Sequence, residues 1–371
     1  MADCHLGLAP SGARYGEAGR ALRRARAKAL ARAVEIAMER EVDLIIIAGD
    51  LFDSASPGRA VASAALKTLA APGIPLAVIP GNHDPLTPRS VWDRAPWDSP
   101  PESVKVFRES APVERPWGLD VVLYPCPLLA KDGSASPVAW IREARAGREG
   151  AARFHVGLAH GTVMRMPEFA DTNFPIQPDE PATLSLDYLA LGHYHRGTDP
   201  AAAAPEGFAY SGTTEPTGFG EGEGGALVVE LGEGPPKVER VSTGTYIFRD
   251  ESTYVAEAQD VSALSERILR SCDPEHTFLR VRLEGAAPLA AFEEAQGLDT
   301  VLADAGFAHV EVDCSRLRAE AQDIEIARLP RGPLRRALEI LVEGARDAGE
   351  EDRDAAQRAV TLAWEMFGTG G

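Results

Sequence analysis

The chain has 371 residues, 44% of them hydrophobic, with 56 Asp and Glu against 38 Lys and Arg and a formal net charge of −18. Such a length exceeds one ordinary domain, so two or three units are expected; no apolar run approaches the roughly 18 residues of a membrane span, and no secretory leader pattern opens the chain. The acidic balance excludes a protein that coats nucleic acid with its own charge, because affinity for DNA rests mainly on cations neutralising phosphates, so any DNA contact must use local patches or a partner's surface.

Asp3-Cys4-His5 comes first, behind only Met1 and Ala2. A Gly/Pro/Ser loop over 7–16 leads into a helix over 17–40, whose Leu22, Ala25, Ala29, Ala33, Val34 and Ala37 recur at helical spacing. Its outer face is assigned Arg20, Arg23, Arg24, Arg26, Lys28 and Arg32, read either as solvated charge or as a phosphate-contacting patch near the His5 loop. Residues 43–53 hold five apolar residues in a row, the pattern of a strand buried on both faces, and Gly49 then turns the backbone so that Asp50 stands at the strand's carboxyl end. Ser56-Pro57 reads as a helix start, with the helix running to 71. Asp53, ahead of it, is either a carboxylate near the site or a cap residue.

The next strand, 74–79, presents Gly81-Asn82-His83-Asp84. Trp92 and Trp97, in the Pro-rich connection 85–101, either pack beneath a long loop or stack on bases. Strands are expected at 103–107 and 121–124, a helix at 137–148, and a strand at 154–159 that delivers His160; His155, on the strand body, reads as structural. A strand at 186–191 delivers Gly192-His193-Tyr194-His195. Arg165 and Arg196 follow histidines closely enough to hold a phosphate bidentately or to form ion pairs. Residues 226–231 and 238–242 read as closing antiparallel strands, with Gly/Pro-rich 232–236 near a domain junction.

Beyond it come a helix at 261–271, a strand at 277–283, a helix at 289–304 and a strand at 307–313, with His276 and His309 as background. Two C-terminal helices carry apolar stripes, Leu334, Leu338, Leu341 and Val342 in the first and Ala356, Ala359, Val360, Ala363, Trp364 and Phe367 in the second. They pack on the chain's own domains or dock on a partner. The cysteines, Cys4, Cys126, Cys272 and Cys314, show neither paired nor metal-type spacing, and a reduced cytoplasm is the simplest expectation.

Five stretches therefore bring Asp, Asn and His to one edge of a predicted sheet. Such donors, without thiolates, suit Mn, Fe or Zn, and seven of them exceed the needs of one ion. Their order, D-x-H, G-D-x-x-D, G-N-H-[D/E], H and G-H-x-H over the first 195 residues, resembles that of the calcineurin-like metallophosphoesterases.

The resemblance implies two metal ions, one held by Asp3, His5 and His195, the other by Asn82, His160 and His193, with Asp50 bridging them. In such sites ions about 3.5–4 Å apart clamp the oxygens of an in-line displacement, and a hydroxide between them is the nucleophile. His83 would face the leaving oxygen as acid, with Asp84 orienting its imidazole and Asp53 close by. Some double-strand-break nucleases of the superfamily carry a histidine where this chain has Asp53. Members also enter D-x-H through a first strand, so either the start of this chain lies upstream, or it lacks a central strand and Asp3 and His5 hang on a frayed terminus.

Gly81 to Pro88, G-N-H-D-P-L-T-P, and the stretch from Tyr210 through Gly218-Phe219-Gly220-Glu221 resemble the SbcD/YhaO-type branch of DNA repair exonucleases. That branch implies an α/β fold, a two-layered β-sandwich flanked by helices over 1–245, with a small α+β capping domain over 246–328 and C-terminal helices over 329–371 that bind a partner. It also implies a manganese-dependent cytoplasmic exonuclease acting on DNA with an SbcC-like coiled-coil ATPase; a homodimer is compatible with it and a membrane is not. The alternatives are a phosphodiesterase for a small nucleotide-type substrate, favoured by the acidic charge, and a non-catalytic subunit of such a complex, favoured by the short start.

Overall fold

The computed structural model describes residues 1–9, 12–146, 150–164, 173–177, 179–319 and 332–347, with a few isolated positions besides. Arg165 and most of the second C-terminal stripe lie outside the described residues, as does the side chain of Leu334. The chain divides into two units, residues 1–247 and 248–371.

In the first unit, α1 (Gly12–Glu39) is interrupted by non-helical backbone at Gly16. Then follow β1 (Ile45–Ala48), α2 (Arg59–Ala70), β2 (Leu76–Ile79), β3 (Val104–Val106), β4 (Val113–Glu114), β5 (Val121–Pro125), α3 (Ala139–Arg145) and β6 (Phe154–His160). Short β7 (Thr162–Val163), β8 (Pro175–Ile176) and α4 (Glu180–Thr183) precede β9 (Tyr188–Gly192), α5 (Pro200–Glu206), β10 (Phe208–Tyr210) and β11 (Glu223–Glu230). β12 (Lys237–Tyr254) runs through the division between the units.

Strands β1, β2 and β3 form one parallel sheet, and β10-β9-β6-β5-β4 a second, parallel except for β4. Ile46, Ala77 and Ile79 of the first meet Leu123, Val156, Leu158 and Tyr188 of the second in one apolar layer. The opposite face of the first sheet packs on Leu30 and Val34 of α1 and Leu66 and Leu69 of α2; Ile141 of α3 covers the far face of the second. Burial on both faces is what makes these strands continuous apolar runs rather than alternating ones. The fold is the mixed α/β sandwich expected. The α2 start differs from expectation: Gly58, not Ser56, precedes the first turn, without a side-chain cap.

Asp3 and His5 are not frayed. The Met1 amine donates to Ile46 O at 2.9 Å, Met1 O accepts from Ala48 N at 2.9 Å, and Asp3 N and His5 N donate to Gly49 O and Asp50 O at 3.2 and 3.1 Å. Beside this short pairing lies an apolar cleft of about 870 Å³ lined by Met1, Ile46, Val156, Tyr188, Ala226 and Val228. β1 and β11, which flank it, are each the edge strand of their sheet.

The second unit holds α6 (Ala258–Ser271), β13 (Thr277–Ala287), α7 (Leu289–Asp304), β14 (His309–Ala319) and α8 (Pro333–Asp347). β13 and β14 pair in parallel, and Val261, Leu264 and Ile268 of α6, Phe292 and Leu298 of α7 and Leu338 and Val342 of α8 bury against them. The first C-terminal stripe thus packs on its own unit. His276 and His309 pair with nearby Asp273 and Glu311. No helix among the described residues is long and apolar enough to cross a membrane.

Candidate metal centre

Because β1 and β2 run parallel, as do β6 and β9, their carboxyl ends open at one edge of the sandwich. Asp50, Asn82, His160, His193 and His195 all follow from those ends, and the pairing of Asp3 and His5 beside Gly49 and Asp50 brings these two to the same place. Gly49 is needed there: its φ is +89°, and a Cβ would stand 2.3 Å from His160 Nδ1.

The seven donors fall into two sets. His5 Nε2 and His195 Nε2 lie 3.0 Å apart, with Asp3 in the same group. Asn82 Oδ1 lies 2.8 Å from His160 Nε2 and 3.1 Å from His193 Nδ1. Asp50 Oδ2 stands between the sets, 3.4 Å from His160 Nε2 and 3.9 Å from His5 Nε2. Ring nitrogens crowded so closely, with a buried carboxylate shared between them, form a donor set that a divalent cation fits at either end.

Supporting contacts fix the ligand atoms. His160 Nδ1–H donates to Ala48 O at 2.9 Å, turning Nε2 toward the centre. His195 Nδ1 faces Glu221 Oε1 at 3.0 Å, turning its own Nε2 inward. Both oxygens of Asp3 accept from His193 N, at 3.0 and 3.1 Å, and Asp50 Oδ1 accepts from His83 N at 2.8 Å.

The electrostatics favour positive charge in this space. Burial alone would push the Asp50 carboxyl up, but His160, His5 and His83 outweigh it and hold it well below the usual carboxylate range. Burial opposes a proton on His160 too, yet the Asp50 charge wins and lifts its imidazole to about 9. His193 is driven down to about 3, first by burial and then by the charge of His160. The buried Asp50 carboxylate that draws a proton to His160 would also attract a metal cation in that proton's place.

His83 differs from the seven. Its side chain is 38% exposed, whereas those of Asp50 and His160 are sealed. It stands edge-on to His5 with ring centroids 4.7 Å apart. Its Nδ1 lies 3.2 Å from Asp53 O and 3.6 Å from Asp53 Oδ1. The hydrogen bond to Asp53 raises the His83 pKa against the effect of partial burial.

This arrangement corrects the sequence reading of Asp84. Its carboxylate does not orient His83; it is buried and accepts from Phe52 N at 2.9 Å and Gly81 N at 2.7 Å. Burial and the nearby Asp50 charge push that carboxyl up to about 7. The group that touches His83 is Asp53, also 3.4 Å from His5 Nδ1, and it is not a helix cap. Although burial acts the other way, the nearby His5 and His83 imidazoles lower the Asp53 carboxyl to about 2.

Three further expectations meet the structure. Arg26 is not on the outer face of α1 but buried, with Nη1 3.4 Å from Leu8 O. Its place four residues after Leu22 and four before Leu30 put it on the apolar stripe, a signal present in the sequence. Trp92 and Trp97 are buried in a cluster with Phe52 and take no exposed stacking position. His155 is structural, its Nδ1 3.0 Å from Tyr124 Oη. Glu221 is the residue that sequence reasoning missed.

A family model described as calcineurin-like phosphoesterase matches residues 1–197. The chain is 28% identical over 260 residues to an uncharacterized metallophosphoesterase, YhaO, of Bacillus subtilis strain 168, an alignment covering 68% of this chain and 60% of that relative. The chain thus spans less than two thirds of the length of the curated relative it matches.

Proposed function

The chain belongs to the calcineurin-like phosphoesterase family, and from that premise we propose that it is a two-metal phosphodiesterase acting on DNA, the exonuclease subunit of a complex with a coiled-coil ATPase. Hydrolysis of phosphoesters comes with the family. The observation that carries the two-metal reading is the position of Asp50, shared between the His5 and His160 sides.

The donor sets would hold one ion with Asp3, His5 and His195 and another with Asn82, His160 and His193, manganese being the metal proposed. When bound, such ions polarise the phosphoryl oxygens and lower the pKa of a water. The residues do the rest. Asp50 spaces the two sets, and its Oδ1 anchors the backbone of His83. His83 Nδ1–H is held by Asp53, so its Nε2 side can carry the proton that passes to the leaving oxygen of a phosphodiester. Partial exposure puts that nitrogen where a substrate arrives, and the contact with Asp53 raises the imidazole's pKa, which favours its protonated form.

The DNA reading rests on the likeness of the Gly81–Pro88 and Tyr210–Glu221 stretches to repair exonucleases. The charge of −18 favours the second reading, a small nucleotide-type phosphodiester. Mn-dependent cleavage of linear double-stranded DNA, assayed beside bis(p-nitrophenyl) phosphate with His83→Ala as control, decides between them. DNA cleavage lost in His83→Ala supports the first. Turnover of the small diester with intact DNA, even with the ATPase partner added, selects the second.

A further inference from the structure

The stretch from Thr213 to Glu221 follows the last histidine and contributes none of the seven donors, yet its final carboxylate reaches back into the centre. Glu221 Oε1 lies 3.0 Å from His195 Nδ1, and the other nitrogen of that ring, Nε2, lies 3.0 Å from His5 Nε2. His195 is therefore gripped from behind by a carboxylate while its front atom joins the Asp3–His5 group. The carboxylate is itself fixed: Oε2 accepts from Thr217 N at 2.7 Å and lies 3.5 Å from Thr213 Oγ1, and the Thr217 hydroxyl donates to Oε1. The Glu221 side chain is 15% exposed, so water competes little for these bonds.

We propose that Glu221 is the positioning residue for one end of the metal centre, holding His195 as the Nδ1–H tautomer so that Nε2 is offered to the ion shared with Asp3 and His5. The inference rests on the two-metal reading above. A carboxylate behind a ligating imidazole fixes ring orientation and raises ligand basicity. His160 receives the equivalent support from the Ala48 backbone carbonyl, which no side-chain substitution removes. His195 and His160 thus differ in a testable way: a replaceable acid backs the first and a backbone carbonyl the second. The bonds of the Glu221 carboxylate run to His195, Thr217 and Thr213, so its loss should act first on the ion of the His5–His195 side.

A purely structural role is the competing account, since Glu221 also ties down its own loop through Thr217. The variants Glu221→Ala, Glu221→Gln and Thr243→Val separate the two, the last removing the hydroxyl bond that anchors the same stretch at Thr214 O. Mn(II) is titrated into each folded, metal-free protein by calorimetry and by EPR of free Mn(II), with the melting temperature of the metal-free form alongside. The wild type should bind two ions. Glu221→Ala should weaken one of them about 10–100-fold and leave the other unchanged. Glu221→Gln keeps an acceptor for Nδ1–H but not the charge, and should show a smaller loss at the same ion. Thr243→Val should keep both.

Unchanged affinities in Glu221→Ala overturn the proposal, and so does an equal loss at both ions or a loss reproduced by Thr243→Val. Where Glu221→Ala fails to fold, Glu221→Gln decides: a loss confined to one ion supports the assignment, and wild-type affinity at both refutes it. A wild type that binds no Mn(II) sinks the metal reading itself, a result distinct from failure of the Glu221 assignment.

Discussion

Replacing Gly81 by alanine places a methyl group against Asp50. An ideal Cβ at this position would lie 2.2 Å from Asp50 Oδ1, 2.5 Å from Asp50 N and 2.9 Å from Asp50 Cγ. Carbon atoms do not approach so closely, and even a 3.0 Å contact requires the carboxylate or the 81–84 loop to retreat by about 0.8 Å. Neither can move freely: Gly81 N donates to Asp84, and Asp50 Oδ1 accepts from His83 N. A shift approaching 1 Å in a group that spaces the reacting atoms costs about 10²-fold in rate, and overpacking of this kind costs roughly 1–3 kcal/mol of stability. Gly81→Ala is therefore expected to lower kcat for bis(p-nitrophenyl) phosphate about 100-fold and to reduce the Mn(II) bound. Gly58→Ala, where an added Cβ meets nothing within 4 Å, is the control. Turnover in Gly81→Ala within threefold of wild type, with both ions retained, would refute the assignment of Asp50 as the shared carboxylate.

Asp53→Asn removes the charge that raises the His83 pKa. With His83 as the proposed acid the protonated imidazole is the active form, and rate should be lost as pH rises through that raised pKa. The substitution should move the alkaline limb of the pH–rate profile to lower pH; a limb that stays put removes His83 from the role of acid. Trp92→Ala empties a fully buried site beside Phe52 and Trp97 and removes the indole bond to Asp84 O, and should destabilise the first unit by about 3–5 kcal/mol in urea denaturation. A loss below 1 kcal/mol would mean the loop carries the ring at its surface. Burial pushes the Cys4 and Cys126 thiols up to about 12, so in the native protein both should resist iodoacetamide at pH 8 under conditions where free cysteine is consumed. An extended segment of five apolar residues fused ahead of Met1 should enter the cleft of about 870 Å³ beside β1 and raise the melting temperature. A net gain of about 2 kcal/mol corresponds to roughly 5 °C in a unit of this size, and an unchanged or lower temperature would show that the cleft rejects a strand.

The sandwich was legible where burial on both faces leaves an unbroken apolar run, as in Ile45–Ala48 and Leu76–Ile79. That these seven side chains would gather at one place was legible because each follows the carboxyl end of such a run or pairs beside one. Two-residue strands such as Thr162–Val163 have no period to read and were missed. Contacts between side chains were a different matter. Asp84 follows His83 directly, and adjacency suggested contact, but in an irregular loop successive side chains diverge and Asp84 turns back onto Phe52 N and Gly81 N. Glu221 reaches His195 across 26 residues, a distance no local pattern encodes.

The backbone at the centre carries a further constraint that residue types do not reveal. Asp3, His5, Asp50 and His193 all have positive φ, at 50°, 43°, 52° and 103°, although none is glycine. Each such conformation costs on the order of 1–3 kcal/mol and persists only where its surroundings over-determine it. Here the surroundings do so by hydrogen bonds to segments distant in sequence: Asp3 N to Gly49 O, His5 N to Asp50 O, His83 N to Asp50 Oδ1, and His193 N to Asp3. These bonds join the chain's first residues to the β1, β2 and β9 ends, so each strained residue is held by an element distant in sequence. The fold itself therefore holds the backbone of these candidate ligands in place, and on the proposed two-metal reading Mn(II) binding should leave that backbone unchanged.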